Sequence, residues 1–147
     1  MIGVEFNIEG NPFAPATKSD RRGVSDYPGF MDIVRLTKPA QCTLVPDTDS
    51  QLTSDHGFDL RKDGDSLAPI IAELKTLGIR VSLFMDPDPS QIRLAKDVGA
   101  DRIELYTGPY AESFGSQQQD VILNQFIAAS ETAAEQGLGL NAGHDLN

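Results

Sequence analysis

The chain has 147 residues, enough for one domain (residues 1–147) with a real core, and its 39% hydrophobic and 23% charged residues are ordinary for a globular protein. Twenty-two acidic against 12 basic residues leave a formal net charge of −10, which argues against nucleic acid and against an anionic membrane surface as partners. A small phosphorylated ligand stays open, because backbone N–H groups at loops and helix N-termini can hold one phosphate in an acidic protein.

In chain order, residues 4–8 read as a strand from their β-branched and aromatic content, stopped by Gly10, Pro12 and Pro15. A polar loop through 18–23 precedes a helix over 28–37 with Phe30, Ile33, Val34 and Leu36 apolar. Residues 42–45 form the next strand, closed by Pro46, and 47–64 read as a long loop of the kind that is usually functional. Asp65 or Ser66 is the expected cap of a helix to Leu77, with Pro69 in its first turn and Gly78 as its stop. Leu67, Ile70, Ile71, Leu74 and Leu77 give that helix its apolar stripe. A strand at 81–85, a turn at 86–89 and a helix from a Ser90 cap to Val98 follow. A strand at 102–107, a loop at 108–115, a helix over 117–136 and a strand at 138–144 complete the chain.

Strands alternating with helices imply a parallel sheet with right-handed crossovers. A doubly wound open sheet and an arc of a (β/α)8 barrel both satisfy that order. Strands of an open sheet, covered on both faces, tend to be continuously apolar. Residues 4–9 alternate instead, with Val4, Phe6 and Ile8 opposite Glu5, Asn7 and Glu9, and so do 102–107, with Ile103 and Leu105 opposite Arg102, Glu104 and Tyr106. One apolar face for helices and one polar face for a lumen favour the barrel. A complete barrel needs about 250 residues, so the expected fold is a partial TIM barrel of five strands and four helices.

The strands also end alike, in polar or ionisable groups, which is how a barrel builds an active site at one rim. Glu104, in mid-strand, needs either a partner such as Arg102 or Arg80 or a chemical task, and both readings stand. Glu9 lies at a strand tip before Gly10, and His144 follows Gly143 at another tip; an imidazole titrates near neutrality and suits general acid or base work. His56, in a polar loop, reads as solvated, and Cys42, in an apolar run, as a buried inert thiol that fits a reducing cytoplasm. No apolar run approaches the roughly 18 residues of a membrane span, and no basic and then apolar leader opens the chain. Metal-ligand spacing, a dinucleotide fingerprint, a Walker loop and a nucleophile elbow are all missing from the sequence.

Five motifs in series carry a family resemblance: Glu5-Phe6-Asn7-Ile8-Glu9-Gly10; Thr43-Leu44-Val45-Pro46 with Leu52-Thr53-Ser54-Asp55-His56-Gly57-Phe58-Asp59; Val81-Ser82-Leu83-Phe84; Arg102-Ile103-Glu104-Leu105-Tyr106-Thr107-Gly108-Pro109-Tyr110-Ala111; and Asn141-Ala142-Gly143-His144-Asp145-Leu146. In that order they resemble the pyridoxine 5′-phosphate synthase family over essentially the whole chain. The resemblance implies a TIM barrel that condenses 3-amino-2-oxopropyl phosphate with 1-deoxy-D-xylulose 5-phosphate, without metal or organic cofactor. It implies Glu9 as general base, Glu104 as stabiliser of cationic intermediates and His144 as proton donor. Thr53 would contact the deoxyxylulose phosphate, and Asp145 would lie where the amino-ketone phosphate is bound. The resemblance covers the family's strands three to seven; its first two strands, its eighth, a further histidine and several phosphate-binding arginines have no counterpart. A cytoplasmic, homo-oligomeric enzyme is the implied setting when the barrel is complete. A non-catalytic half-barrel scaffold or assembly module, or another TIM-barrel aldolase or isomerase acting on phosphosugars, are the alternatives.

Overall fold

A computed structural model describes residues 3–47 and 54–144. Among them five strands form one sheet: β1 (Asn7–Gly10), β2 (Gln41–Leu44), β3 (Arg80–Met85), β4 (Arg102–Tyr106) and β5 (Gly139–Gly143). Helices α1 (Phe30–Thr37), α2 (Leu60–Thr76), α3 (Pro89–Asp97), α4 (Gly108–Ser113) and α5 (Gln119–Glu135) lie between them. The spatial order β1-β2-β3-β4-β5 equals the chain order, and each neighbouring pair is parallel. A doubly wound sheet would reverse direction at a switch point. Here every crossover steps the same way, so right-handed connections put the helices on one face and leave the other open. The sheet is an arc of a (β/α) barrel.

The core fills the space between the sheet's outer face and the helices. Cys42, Leu44, Val81, Leu83, Met85, Ile103 and Leu105 point outward and are buried under Val34 of α1, Leu67, Ile71 and Leu74 of α2, Ile92 and Ala95 of α3, and Ala129 and Ala133 of α5. Burial pushes the Cys42 thiol up to about 12, so it is inert at neutral pH.

Several element boundaries differ from the sequence reading. Pairing of the first strand begins at Asn7, and Val4, 97% exposed, and Phe6, 58% exposed, precede it at an edge with nothing to cover them. The first helix begins at Phe30, two residues past the expected Pro28, because Gly29, at φ 97, makes the turn into it. The long helix begins at Leu60 and not at Asp65 or Ser66: the Asp59 side chain accepts from the Arg61 N–H at 3.2 Å and caps it. Pro69 therefore lies inside the helix, where a lost hydrogen bond and ring crowding cost about 3 kcal/mol. Burial of Leu60 in the added turn, at about 1.5–3 kcal/mol, together with the Asp59 cap, at about 1 kcal/mol, offsets that cost. Gly64 is tolerated as well, since a Cβ there would stand 3.3 Å from Val98 Cγ1 and its absence lets the end of α3 approach.

Asp88, and not Ser90, caps α3, accepting from the Ser90 N–H at 2.8 Å. The expected loop at 108–115 contains α4, which makes five helices among the described residues where four were expected. Pro109 carries the signal for it, since proline is preset for the first turn, and Gly115 at φ 76 follows its end.

Candidate active site

Parallel pairing places the inward residues in rungs. Glu9, Thr43, Ser82, Arg102 and Gly139 lie opposite one another in turn across the five strands, and Phe84, Glu104 and Asn141 form the next rung. Tyr106 and Gly143 stand above those, and His144 follows at the rim. Alternation thus aims Glu9 and Glu104 into the same open face. His144 follows the inward Gly143 and is out of that phase, and its left-handed backbone at φ 84 accompanies a ring that meets the inward Phe84 and Tyr106 on that face.

The three groups interact. Burial pushes the Glu104 carboxyl above the usual carboxylate range, while the Asn141 amide and His144 pull it back. Burial also raises Glu9, helped by the negative charges of Glu104 and Asp47 and opposed by His144. Glu9 stands at the open edge of the sheet and stays exposed, so solvent screens its shift more than that of the partly buried Glu104. Neither arginine considered as a structural partner takes Glu104. Arg80 bonds Glu5 and, at 2.8 Å, Gln41 Oε1; Arg102 donates to Asn141 Oδ1 from Nε at 3.2 Å and from Nη2 at 2.7 Å. The ion-pair reading of Glu104 is thereby overturned among the described residues, because the guanidinium groups are committed elsewhere.

His144 is held by rings and by backbone. Its imidazole lies edge-on to Tyr106, with centroids 5.6 Å apart at 84°, and 6.1 Å from the Phe84 ring. The Thr107 hydroxyl, at the end of β4, is bonded to the carbonyls of Gly143 and His144. His144 has φ 84, a left-handed conformation that costs a non-glycine residue on the order of 1 kcal/mol and persists where surroundings enforce it. Such strain clusters at functional positions.

The small inward residues of β5 make the room. A Cβ on Gly143 would stand 2.7 Å from Glu104 Oε1, and one on Gly139 would stand 2.6 Å from Arg102 Nη1. Glycine at alternate positions, Gly139-x-Asn141-x-Gly143, is the sequence signal for a strand that admits its neighbour's long side chains into the lumen. That signal points to Arg102 and Asn141, which were not among the candidate site residues, and Tyr106, Phe84 and Thr107 join them only through the tertiary arrangement.

Thr53 and Asp145 lie outside the described residues. His56 is exposed, 2.5 Å from Asp55 Oδ1, and is not part of the group. A cavity of about 610 Å³ lined by Pro109, Glu112, Ser116, Gln118 and Ile122 holds none of the three central residues. Among the described residues, no helix is long and apolar enough to cross a membrane.

Comparison with known proteins adds kinship to this geometry. The chain is 57% identical over its whole length to "Pyridoxine 5'-phosphate synthase" of Xanthomonas campestris pv. campestris (strain B100), of which it covers 55%. It is 51% identical over 145 residues to the protein of that name from Xylella fastidiosa (strain M12), covering 53% of it. The chain thus spans about half the length of the curated relatives it matches. Among solved structures, that of methylornithine synthase (PylB) superposes on 95% of the chain with a TM-score of 0.52 at 14% identity, a likeness of fold alone, and 44% of that structure is covered. The family described as "Pyridoxal phosphate biosynthesis protein PdxJ" matches residues 1–147, from the first residue to the last, and the chain belongs to that family.

Proposed function

We propose that these residues form the central part of the active site of a pyridoxine 5′-phosphate synthase. The observation that carries the reading is geometric: Glu9 and Glu104 are inward by register, and the His144 ring packs on the inward Phe84 and Tyr106, all on one open face of a family member's sheet. Two carboxylates and an imidazole suit the reaction. The amine of 3-amino-2-oxopropyl phosphate condenses with the ketone of 1-deoxy-D-xylulose 5-phosphate, two waters and one phosphate leave, and a ring closes. Each step moves a proton.

In this reading Glu9 is the general base, its raised pKa bringing its proton affinity closer to that of the groups it serves. Glu104 is the charge that stabilises cationic intermediates, effective because it is partly withdrawn from water. His144, held by Tyr106 and Thr107, is the proton donor. Thr53 contacts the deoxyxylulose phosphate, and residue 145 offers its backbone to the amino-ketone phosphate. The setting is a cytoplasmic homo-oligomer.

The test is product formation from the two phosphates by the protein extended to the length of its relatives. Glu9→Gln, Glu104→Gln and His144→Asn should each lower kcat by about 100-fold or more. A variant of all three positions that retained full rate would remove the reading.

A further inference from the structure

We propose that Arg102 and Asn141 form a positioning relay that sets the orientation and charge of the Glu104 carboxylate in the proposed synthase reaction. The inference rests on that reading of Glu104, but its geometry stands separately. A guanidinium has only donors. With Arg102 Nε and Nη2 both on Asn141 Oδ1, the carboxamide is fixed in one of its two flips, and its NH₂ must point to the opposite side. Glu104 is Asn141's direct cross-strand partner, so the NH₂ turned away from Arg102 is the donor nearest the carboxylate in register, and Asn141 accordingly pulls the Glu104 carboxyl back towards its charged form.

The spacing is built for this chain of contacts. Arg102 is paired in register with Gly139, whose missing Cβ leaves the guanidinium its place. Gly143, two residues beyond Asn141, leaves a place for Glu104 Oε1. Arg102 Nη2 is further tied to the Leu140 carbonyl at 3.1 Å, so the guanidinium is anchored by two acceptors.

An arginine bonded straight to Glu104 would hold it permanently ionised and spend its charge on the protein. Interposing a neutral amide does less: it orients the carboxylate and favours the charged form modestly, while burial pulls the other way. The carboxylate is left positioned, ionisable and available to a cation on the substrate side. Asn141 and Arg102 are therefore positioning residues rather than catalytic ones.

The experiment uses the protein extended to the length of its relatives. Asn141→Ala should lower kcat by on the order of tenfold with KM within about threefold. The acidic limb of its kcat profile should move to higher pH, because ionised Glu104 has lost its donor. Asn141→Asp keeps the shape and the acceptor for Arg102 but faces Glu104 with an oxygen, and should move the limb further. Arg102→Met should act in the same direction and add little to Asn141→Ala, since both break one chain; Arg102→Lys should restore most of the rate. An unmoved limb in both Asn141 variants, or full additivity of Arg102→Met with Asn141→Ala, would overturn the relay. If the unsubstituted extended protein makes no product, the synthase reading fails. The relay is then decided by titrating the ¹³C-labelled Glu104 carboxyl, whose pKa must rise in Asn141→Ala.

Discussion

Leu83 in β3 and Leu140 in β5 point to the same outer face of one sheet, yet Leu83 is fully buried and Leu140 is 38% exposed. The whole molecule divides in this way. Strands β2, β3 and β4 are flanked on both sides and covered by helices, and their outward residues are inaccessible. Strands β1 and β5 each have one open edge, and apolar residues near them, Val4, Phe6 and Leu140, face solvent. The proposed chemistry straddles the division: Glu104 comes from the buried centre, Glu9 and His144 from the two edges. The centre supplies stability and one carboxylate, while the groups that would work with it depend on strands that a closed barrel would flank. Unpaired edges of this kind invite association, which closure abolishes.

The strongest way to test that contrast is activity. Residues 1–147 alone should make pyridoxine 5′-phosphate at a rate lower by on the order of 100-fold or more than the same sequence extended to the length of its relatives, since misplacement of edge groups by about 1 Å already has such an effect. Comparable rates in the two proteins would show that the edges need no neighbours.

Stability gives the next largest effect. Leu105→Ala, in the centre, should cost about 3 kcal/mol in urea denaturation of the chain, from lost transfer energy and a cavity. Leu140→Ala, at the edge, should cost under about 1 kcal/mol. In the extended protein the penalty at Leu140 should grow as that face is covered. Equal penalties in the short chain would erase the distinction between centre and edge.

The smallest effect is in pH dependence. The folded-state pKa of Glu104 is raised, so the folded chain holds its proton more tightly than the unfolded one. Its contribution to stability is greatest below the unfolded value of about 4.3 and declines as pH rises through the folded value. Glu104→Gln should therefore raise the Tm at pH 7 and leave it nearly unchanged at pH 3. A Tm that falls at pH 7 would mean that the ionised carboxylate stabilises the fold.

Much of this was legible from residue order. Alternation in residues 102–107 marked one apolar and one polar face and so favoured a barrel over a doubly wound sheet. The apolar stripe of Leu67, Ile71 and Leu74 marked the long helix. Glycine before His144 and Glu9 at a strand tip marked two candidate site residues. These signals are local: a period of two or 3.6 and a turn residue need only the neighbouring chain to be read.

What the tertiary structure decided required knowing which residues meet. Asp59 outcompeted Asp65 as a helix cap because the turn it adds buries Leu60 under its neighbours, which together with the cap offsets Pro69. Arg102 went to Asn141 and not to Glu104 because register placed Gly139 under its guanidinium and Asn141 across from the carboxylate. His144 took a left-handed backbone beside Tyr106, Phe84 and Thr107, residues brought there from two other strands. Periodicity tells which way a side chain faces; only the pairing of distant strands determines what it faces.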